Sequence, residues 1–142
     1  MLTKSQENYI KIIYELSLHK DGAHITDIAA KFGVSKASAS VAAKSLEIKG
    51  LVWRDIGRLV YLTHEGEKQA ISILDKYSII NELLVNMLGV DSQTAHTDAC
   101  AMEHLVSPET LCAMCRSVNS RECNNGCTLP HKAVNANRVD RI

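Results

Sequence analysis

The chain has 142 residues, of which 46% are hydrophobic, and its 16 Lys and Arg residues balance 16 Asp and Glu residues. This length suits one domain or two small ones that share a core, and the ordinary apolar and charged fractions exclude a globally disordered chain. The sequence has no apolar run of the roughly 18 residues needed to cross a bilayer, and its first residues lack the apolar segment of a secretory signal. We therefore expect a cytoplasmic protein.

Two helices are predicted at the start of the chain. Thr3 and Gln6 have the spacing of a capping box, which predicts a first helix over about residues 4–18. Thr26 is a suitable N-cap for a short second helix over residues 27–32. A tight turn is expected directly after this second helix.

A third helix and a hairpin follow that turn. Ser35 is expected to cap the helix, which ends at Gly50. Its predicted apolar contacts are Val41, Leu46 and Ile48. Residues 51–54 and 58–62 are rich in β-forming side chains and enclose a turn, which predicts a β-hairpin. The order helix, helix, tight turn, helix, hairpin is typical of a winged helix-turn-helix.

The second half of the chain is predicted to be helical. Thr63 is expected to cap a long fourth helix over residues 64–88. One stripe of this helix is expected to face inward: Ala70, Leu74, Tyr77, Asn81, Leu84 and Leu88. Asp91 predicts the cap of a fifth helix over about residues 92–105, and Pro108 predicts the first turn of a sixth.

These elements predict a mainly α fold, in which an N-terminal winged helix-turn-helix is joined by a long helix to a helical dimerisation and metal-binding domain. The predicted boundaries are 1–63 for the DNA-binding domain, 64–111 for the helical domain and 112–142 for a cysteine-rich segment.

Basic residues concentrate in the predicted winged helix-turn-helix: residues 28–62 contain six Lys and Arg residues and only two acidic residues. The outward face of the third helix is expected to carry Ser35, Lys36, Ser38, Ser40 and Lys44. Short hydroxyls let a helix enter the major groove and lysines reach phosphates, while Arg54 and Arg58 of the hairpin are placed to follow the flanking backbone or minor groove. We therefore expect double-stranded DNA as the partner, bound by a homodimer on a pseudo-palindromic operator.

Metal-ligating side chains lie along the fifth predicted helix. His96, Cys100, Glu103 and His104 follow the spacing i, i+4, i+7 and i+8, which places them on one helical face. Imidazole, thiolate and carboxylate are the usual ligands of divalent transition metals. A nucleophilic Cys100 activated by His104 has suitable spacing, but the sequence lacks a recognisable oxyanion loop, so we do not expect an enzyme.

The predicted winged helix, the long helix after it and the run from His96 through Cys100, Glu103 and His104 to Ser107 together resemble the diphtheria toxin repressor and manganese repressor family of metal-dependent transcriptional regulators. The resemblance covers about residues 5–110 and implies a short form without the SH3-like third domain. It implies a homodimeric, metal-activated repressor of metal-uptake or homeostasis genes. Cys100, Glu103 and His104 would be ligands of the activating site, and His96 would belong to a neighbouring site.

The chain departs from this family at several ligand positions. Relatives place a Met or Asp ligand in the first helix where this chain has Asn8, with Glu7 as the neighbouring alternative. Relatives also place a His and a Glu on the fourth helix where this chain has Tyr77 and Asn81. Thiolate with imidazole favours Fe(II), Co(II), Ni(II) or Zn(II) over Mn(II). Fe(II) is the expected ion, with Mn, Co, Ni and Zn as the alternatives.

Four further cysteines, Cys112, Cys115, Cys123 and Cys127, lie beyond the part of the chain that carries the resemblance. Two close pairs of thiols within 16 residues are typical of a Cys₄ centre, which holds either zinc or an iron–sulfur cluster. Thiols without a metal are the third possibility.

The function predicted is that of a metal-responsive transcriptional regulator. Two alternatives stay open: a winged-helix regulator whose main sensor is the cysteine centre as an iron–sulfur or redox group, and a small metal-handling or electron-transfer protein.

Overall fold

The computed structural model describes residues 1–119. Its helices are α1 (Lys4–Ser17), α2 (Ile25–Phe32), α3 (Lys36–Ile48), α4 (His64–Glu82), α5 (Ser92–Met102) and α6 (Pro108–Asn119), and its strands are β1 (Ala23–His24), β2 (Val52–Arg54) and β3 (Leu59–Leu62). A π-helical segment, Leu83–Met87, continues α4. The chain divides into two compact units, Met1–Tyr77 and the part that begins at Ser78.

The first unit is the winged helix-turn-helix that the sequence predicts. Strands β2 and β3 form the antiparallel hairpin of the wing, with Val52 opposite Leu62 and Trp53 opposite Tyr61. The two-residue strand β1 pairs with the other edge of β3, which gives the sheet order β1-β3-β2. Sequence patterns missed β1, because two residues are too few to show an alternation of apolar and polar side chains.

Local capping signals correctly predict most helix ends of this unit. The Thr3 hydroxyl accepts from the Gln6 backbone amide at 3.2 Å while the Gln6 side chain accepts from the Thr3 amide at 3.1 Å, which completes the capping box. Ser35 caps α3 through the Ser38 amide at 3.1 Å. The chain leaves α3 at Gly50, whose φ of 72° is a conformation that glycine adopts readily. The predicted cap Thr26 is wrong, because α2 already begins at Ile25.

The core of the first unit is built from small and branched side chains of all its elements. Its buried residues include Tyr9, Ile10, Ile13, Ile28, Ala29, Ala39, Ala43, Leu46, Val52, Val60 and Ala70. Helix α3 therefore packs through two alanines and one leucine, which allows a close approach to its neighbours. Val41 and Ile48 were predicted to pack inward, and this is wrong, because their exposed fractions are 70% and 79%.

The base of the wing is tied to the first turn of α4. The Thr63 hydroxyl donates to the Gly50 carbonyl at 2.7 Å and accepts from the Gly66 amide at 3.1 Å, so it caps α4 as predicted. The Thr63 amide donates to the Leu51 carbonyl at 3.0 Å. Gly66 is buried directly against that carbonyl, which an added Cβ would approach to 1.9 Å. The wing and α4 can therefore meet this closely only because residue 66 lacks a side chain.

The second unit contains the end of α4, the π-helical segment, α5 and α6, and the last two pack against the π-helical segment. Asp91 caps α5 as predicted, accepting from the Gln93 and Thr94 amides at 3.1 Å. Ser107 accepts from the Thr110 amide at 3.2 Å at the start of α6.

The π-helical segment overturns one part of the predicted stripe on the long helix. Leu88 was expected to face inward but is 64% exposed, and Met87 is 53% exposed. The Leu88 amide donates to the Leu83 carbonyl, five residues back, at 3.1 Å. A π-helical hydrogen bond joins residues five apart rather than four, so the residues after the segment are rotated away from the face that an uninterrupted α-helix predicts.

Among the helices of residues 1–119, none has both the length and the apolar character that a membrane span requires.

Candidate nucleic-acid interface and metal centre

Most of the predicted DNA-reading residues on α3 are accessible. Ser35, Lys36, Ser38 and Lys44 are exposed and Ser40 is half-buried. Of the alanines on α3, Ala37 is exposed, but Ala39 and Ala43 belong to the core. Val41, which was predicted to lie in the core, is also exposed on α3. A branched methyl pair is suited to contact with thymine methyl groups.

An open cleft lies between α3 and the wing. Its lining includes Lys36 and Ser40 from α3 and Arg54 and Arg58 from the wing. A groove of this kind, with a helix on one side and cations on the other, matches the path of a DNA strand. Four of the seven predicted DNA-binding residues thus line one cleft, whereas Ser35, Ser38 and Lys44 are not part of its lining.

Arg54 differs from the other cations of this cleft because it is engaged within the protein. Its Nη2 donates to Glu47 Oε2 at 2.8 Å, and its Nε donates to the same oxygen at 3.1 Å. The two side chains are 28% and 37% exposed. The sequence predicted that Arg54 follows the DNA backbone or the minor groove and did not indicate this partner on α3.

The tip of the wing presents Ile56 and Arg58 to solvent. Asp55 organises the turn: its Oδ1 accepts from the Leu59 amide at 2.9 Å, and its carbonyl accepts from the Arg58 amide at 3.3 Å. Arg58 has a φ of 64°, in the left-handed region. Hairpins of this length usually place glycine at such a position. This chain has arginine there, although the left-handed conformation disfavours residues with a side chain.

The predicted metal ligands of the second unit fall into two environments. Glu103 and His104 are buried, with side chains 0% and 3% exposed, and His104 Nε2 lies 3.3 Å from Glu103 Oε1. Cys100 is half-buried on α5, whereas His96 is exposed. Helix α5 ends at Met102, earlier than the predicted residue 105. Glu103 is the C-cap of α5: its backbone is right-handed helical and its amide donates to the Ala99 carbonyl at 3.0 Å, so its position still follows the helical geometry.

The donor chemistry of the buried pair fits a divalent cation. A buried carboxylate loses its hydration and needs compensating positive charge or hydrogen bonds, and carboxylate, imidazole and thiolate are ligands that transition metals accept. Within residues 1–119, however, no three His, Cys, Asp or Glu side chains come together as a metal cluster. Burial and donor type, rather than a preassembled cage, therefore point to these residues.

Asn81 adds a further buried polar atom to the interior of this unit. Its Oδ1 is buried, and no hydrogen-bond partner for that atom lies among the residues that the structure describes. A buried amide oxygen without a donor is costly, by about 1–3 kcal/mol. The predicted inward orientation of Asn81 agrees with this burial.

The remaining predicted ligands stay predictions. Glu7 and Asn8 lie on α1 in the first unit. Cys112 and Cys115 are both half-buried on α6. Cys123 and Cys127 lie outside the described residues, so the structure does not test the Cys₄ centre.

Comparison with known proteins relates both units to one family. Residues 1–55 match the model described as the iron dependent repressor N-terminal DNA binding domain. Residues 63–131 match the model described as the iron dependent repressor metal binding and dimerisation domain. The two matches follow the order of the units in the chain.

Individual relatives agree with this assignment. The transcriptional regulator MntR of Escherichia coli O6:H1 is 37% identical over 105 residues, which cover 74% of this chain and 67% of the relative. The diphtheria toxin repressor of Corynebacterium glutamicum is 31% identical over 108 residues, 76% of this chain and 47% of the relative.

A solved structure of the manganese regulator SloR superimposes with a TM-score of 0.72 at 32% identity, covering 84% of this chain and 56% of that one. The chain thus spans only about half of the length of SloR and of the corynebacterial repressor. The matches to both family models, and to relatives named for both branches, confirm the resemblance found in the sequence. The chain belongs to the iron-dependent repressor family.

Proposed function

We propose that the protein is a metal-dependent transcriptional repressor that binds double-stranded DNA as a homodimer. One observation carries the DNA-binding part: the exposed polar face of α3 adjoins a cleft that the wing lines with arginine. A single winged helix contacts few phosphates, so a two-fold dimer on a pseudo-palindromic site gives the affinity that a gene switch needs. The match of residues 63–131 to a dimerisation domain supports this assembly.

We propose Cys100, Glu103 and His104 as the protein's metal ligands. A bound divalent cation would place positive charge beside the buried carboxylate of Glu103. Cys100 contributes a thiolate from the last turn of α5, and His104 contributes an imidazole that is already fixed against Glu103. A ligand shifts a conformational equilibrium only by its difference in affinity for the two states. Binding at the end of α5 would therefore favour one arrangement of the domain that dimerises.

The donor set favours Fe(II) over Mn(II), because thiolate and imidazole are softer ligands than the carboxylates that suit manganese. Elemental analysis of protein purified without oxygen measures which ion is held. A solved relative described as a manganese-dependent repressor in complex with manganese shows that another ion serves in this fold.

The test of the proposed function uses random-sequence duplexes of about 30 base pairs, long enough for two half-sites one helical turn apart. In the presence of Fe(II) or Mn(II), the full chain is expected to select a pseudo-palindromic sequence. Addition of a chelator is expected to weaken that binding by 10-fold or more, a typical allosteric coupling. An inability to retain any duplex at low salt with either metal would overturn the proposal.

Replacing Arg58 with glycine is expected to weaken DNA binding without destabilising the wing. Glycine adopts a φ of 64° readily. The free energy of unfolding of the variant is therefore expected to equal that of the wild type or to exceed it by up to about 1 kcal/mol. DNA affinity is expected to fall on all sequences, and the salt slope of binding to fall by about one. Urea denaturation and titrations at several salt concentrations measure both quantities. A less stable variant with unchanged DNA affinity would contradict this role.

A further inference from the structure

The Glu47–Arg54 ion pair joins the recognition helix to the wing. Glu47 lies in the last turn of α3, and Arg54 ends strand β2. Between them the chain makes a tight turn in which the Leu51 amide donates to the Leu46 carbonyl at 3.0 Å and the Gly50 amide donates to the Glu47 carbonyl at 2.9 Å. This turn fixes the backbone path, and the ion pair adds a side-chain tie across it.

The carboxylate of Glu47 compensates the positive charge of Arg54 within the protein. Two of its N–H groups point to one oxygen of Glu47, at 2.8 and 3.1 Å. A phosphate that approaches this guanidinium also meets the nearby carboxylate, so the pair contributes little net attraction. Arg58, at the exposed tip of the same hairpin, is a cation for which the structure gives no carboxylate contact among the described residues.

We propose that Arg54 is a positioning residue: with Glu47 it holds the wing at a fixed angle to the recognition helix, while Arg58 supplies the phosphate contact of the wing. This inference rests on the proposed DNA-binding function. It assigns Glu47, an acidic residue in a DNA-binding cleft, to the specific recognition of DNA. A wing held at one angle selects the duplexes whose groove spacing fits it, so the pair acts on specificity more than on general affinity.

The first test needs no DNA. Amide hydrogen exchange is measured on the full chain for the wild type, Glu47→Gln, Arg54→Gln and the double variant. Each single variant is expected to speed exchange in strands β2 and β3 at least threefold, and the double variant is expected to be no faster than either single one. If amide exchange in the wing were unchanged in both single variants, the ion pair would not restrain the wing. This conclusion would hold whether or not the protein binds DNA.

The second test compares two probes: the duplex that the wild type selects from a random pool, and the same duplex with its sequence scrambled. Glu47→Gln removes a negative charge, so electrostatics alone predicts tighter binding to both. The proposal instead predicts at least tenfold weaker binding to the selected duplex, with equal or tighter binding to the scrambled one. Arg54→Gln is expected to lose the same preference while keeping its salt slope, whereas Arg58→Gln is the matched control whose slope falls by about one.

Two results would overturn the positioning role: tighter binding of Glu47→Gln to both duplexes, or a salt slope of Arg54→Gln that falls as much as that of Arg58→Gln. If the wild type retains no duplex at all, the proposed function fails, and the recognition role of the pair fails with it. Accelerated exchange in that case still shows that the ion pair holds the wing. The two failures are therefore distinguishable.

Discussion

Replacing Cys100 with alanine is expected to remove the metal stimulation of DNA binding, a loss on the order of 100-fold at saturating Fe(II). The thiolate is the strongest soft donor of the proposed ligand set, and Glu103 and His104 alone supply only two donors. Cys100 is only half-buried on α5, and alanine is smaller and favours the helix, so the variant is expected to remain folded. DNA affinity with and without metal, together with the amount of metal retained after dialysis, measures the effect.

Two further variants sharpen this test. Asp98→Ala removes an exposed carboxylate two residues away on α5 and is the matched control, with unchanged metal response expected. Cys100→Asp keeps an anionic ligand but replaces a soft donor by a hard one, so it is expected to respond to Mn(II) in preference to Fe(II). Wild-type stimulation in Cys100→Ala would show that the metal is held elsewhere in the chain.

Replacing Gly66 with alanine is expected to destabilise the first unit by at least about 3 kcal/mol, a large part of the stability of a small domain. An added Cβ would lie 1.9 Å from the Leu51 carbonyl oxygen and 3.1 Å from a Leu62 methyl group. The same carbonyl accepts from the Thr63 amide, so the backbone cannot yield without losing this hydrogen bond. Thermal unfolding followed by circular dichroism is expected to show a Tm lower by more than about 10 °C.

Gly33→Ala is the matched control for this prediction. At Gly33 an added Cβ meets open space among the described residues, but φ is 77°. The expected cost is therefore only that of a left-handed residue, about 1–2 kcal/mol. If both variants lost the same stability, backbone conformation rather than the contact with Leu51 would explain the effect at residue 66.

The order of the elements was predictable because its signals are local. Thr3, Ser35, Thr63 and Asp91 each cap a helix within three residues of their own position, so neighbours in the sequence are enough to identify them. The positive φ of Gly33, Gly50 and Gly89 has the same local origin. The family resemblance was also readable, since the run from Cys100 to His104 is contiguous.

The orientation of helical faces was less predictable. Val41, Ile48 and Leu88 are apolar, and their type alone suggested burial, yet all three are more than half exposed. The neighbours of α3 approach it closely, so the buried face is the one that carries the small side chains Ala39 and Ala43. In the long helix, the π-helical segment rotates the residue that follows it, Leu88, away from the predicted face.

The sequence by itself determined where α1, α3, α4 and α5 begin, because each cap depends on residue type and short spacing. Its candidate DNA-binding residues and metal donors stay predictions. Tertiary structure alone decided that Arg54 is engaged by Glu47, that Glu103 and His104 are buried while His96 is exposed, and that Gly66 must lack a side chain. These outcomes depend on which atoms the fold brings within a few ångströms. Residues far apart in sequence, or on different elements, carry no mark of that proximity.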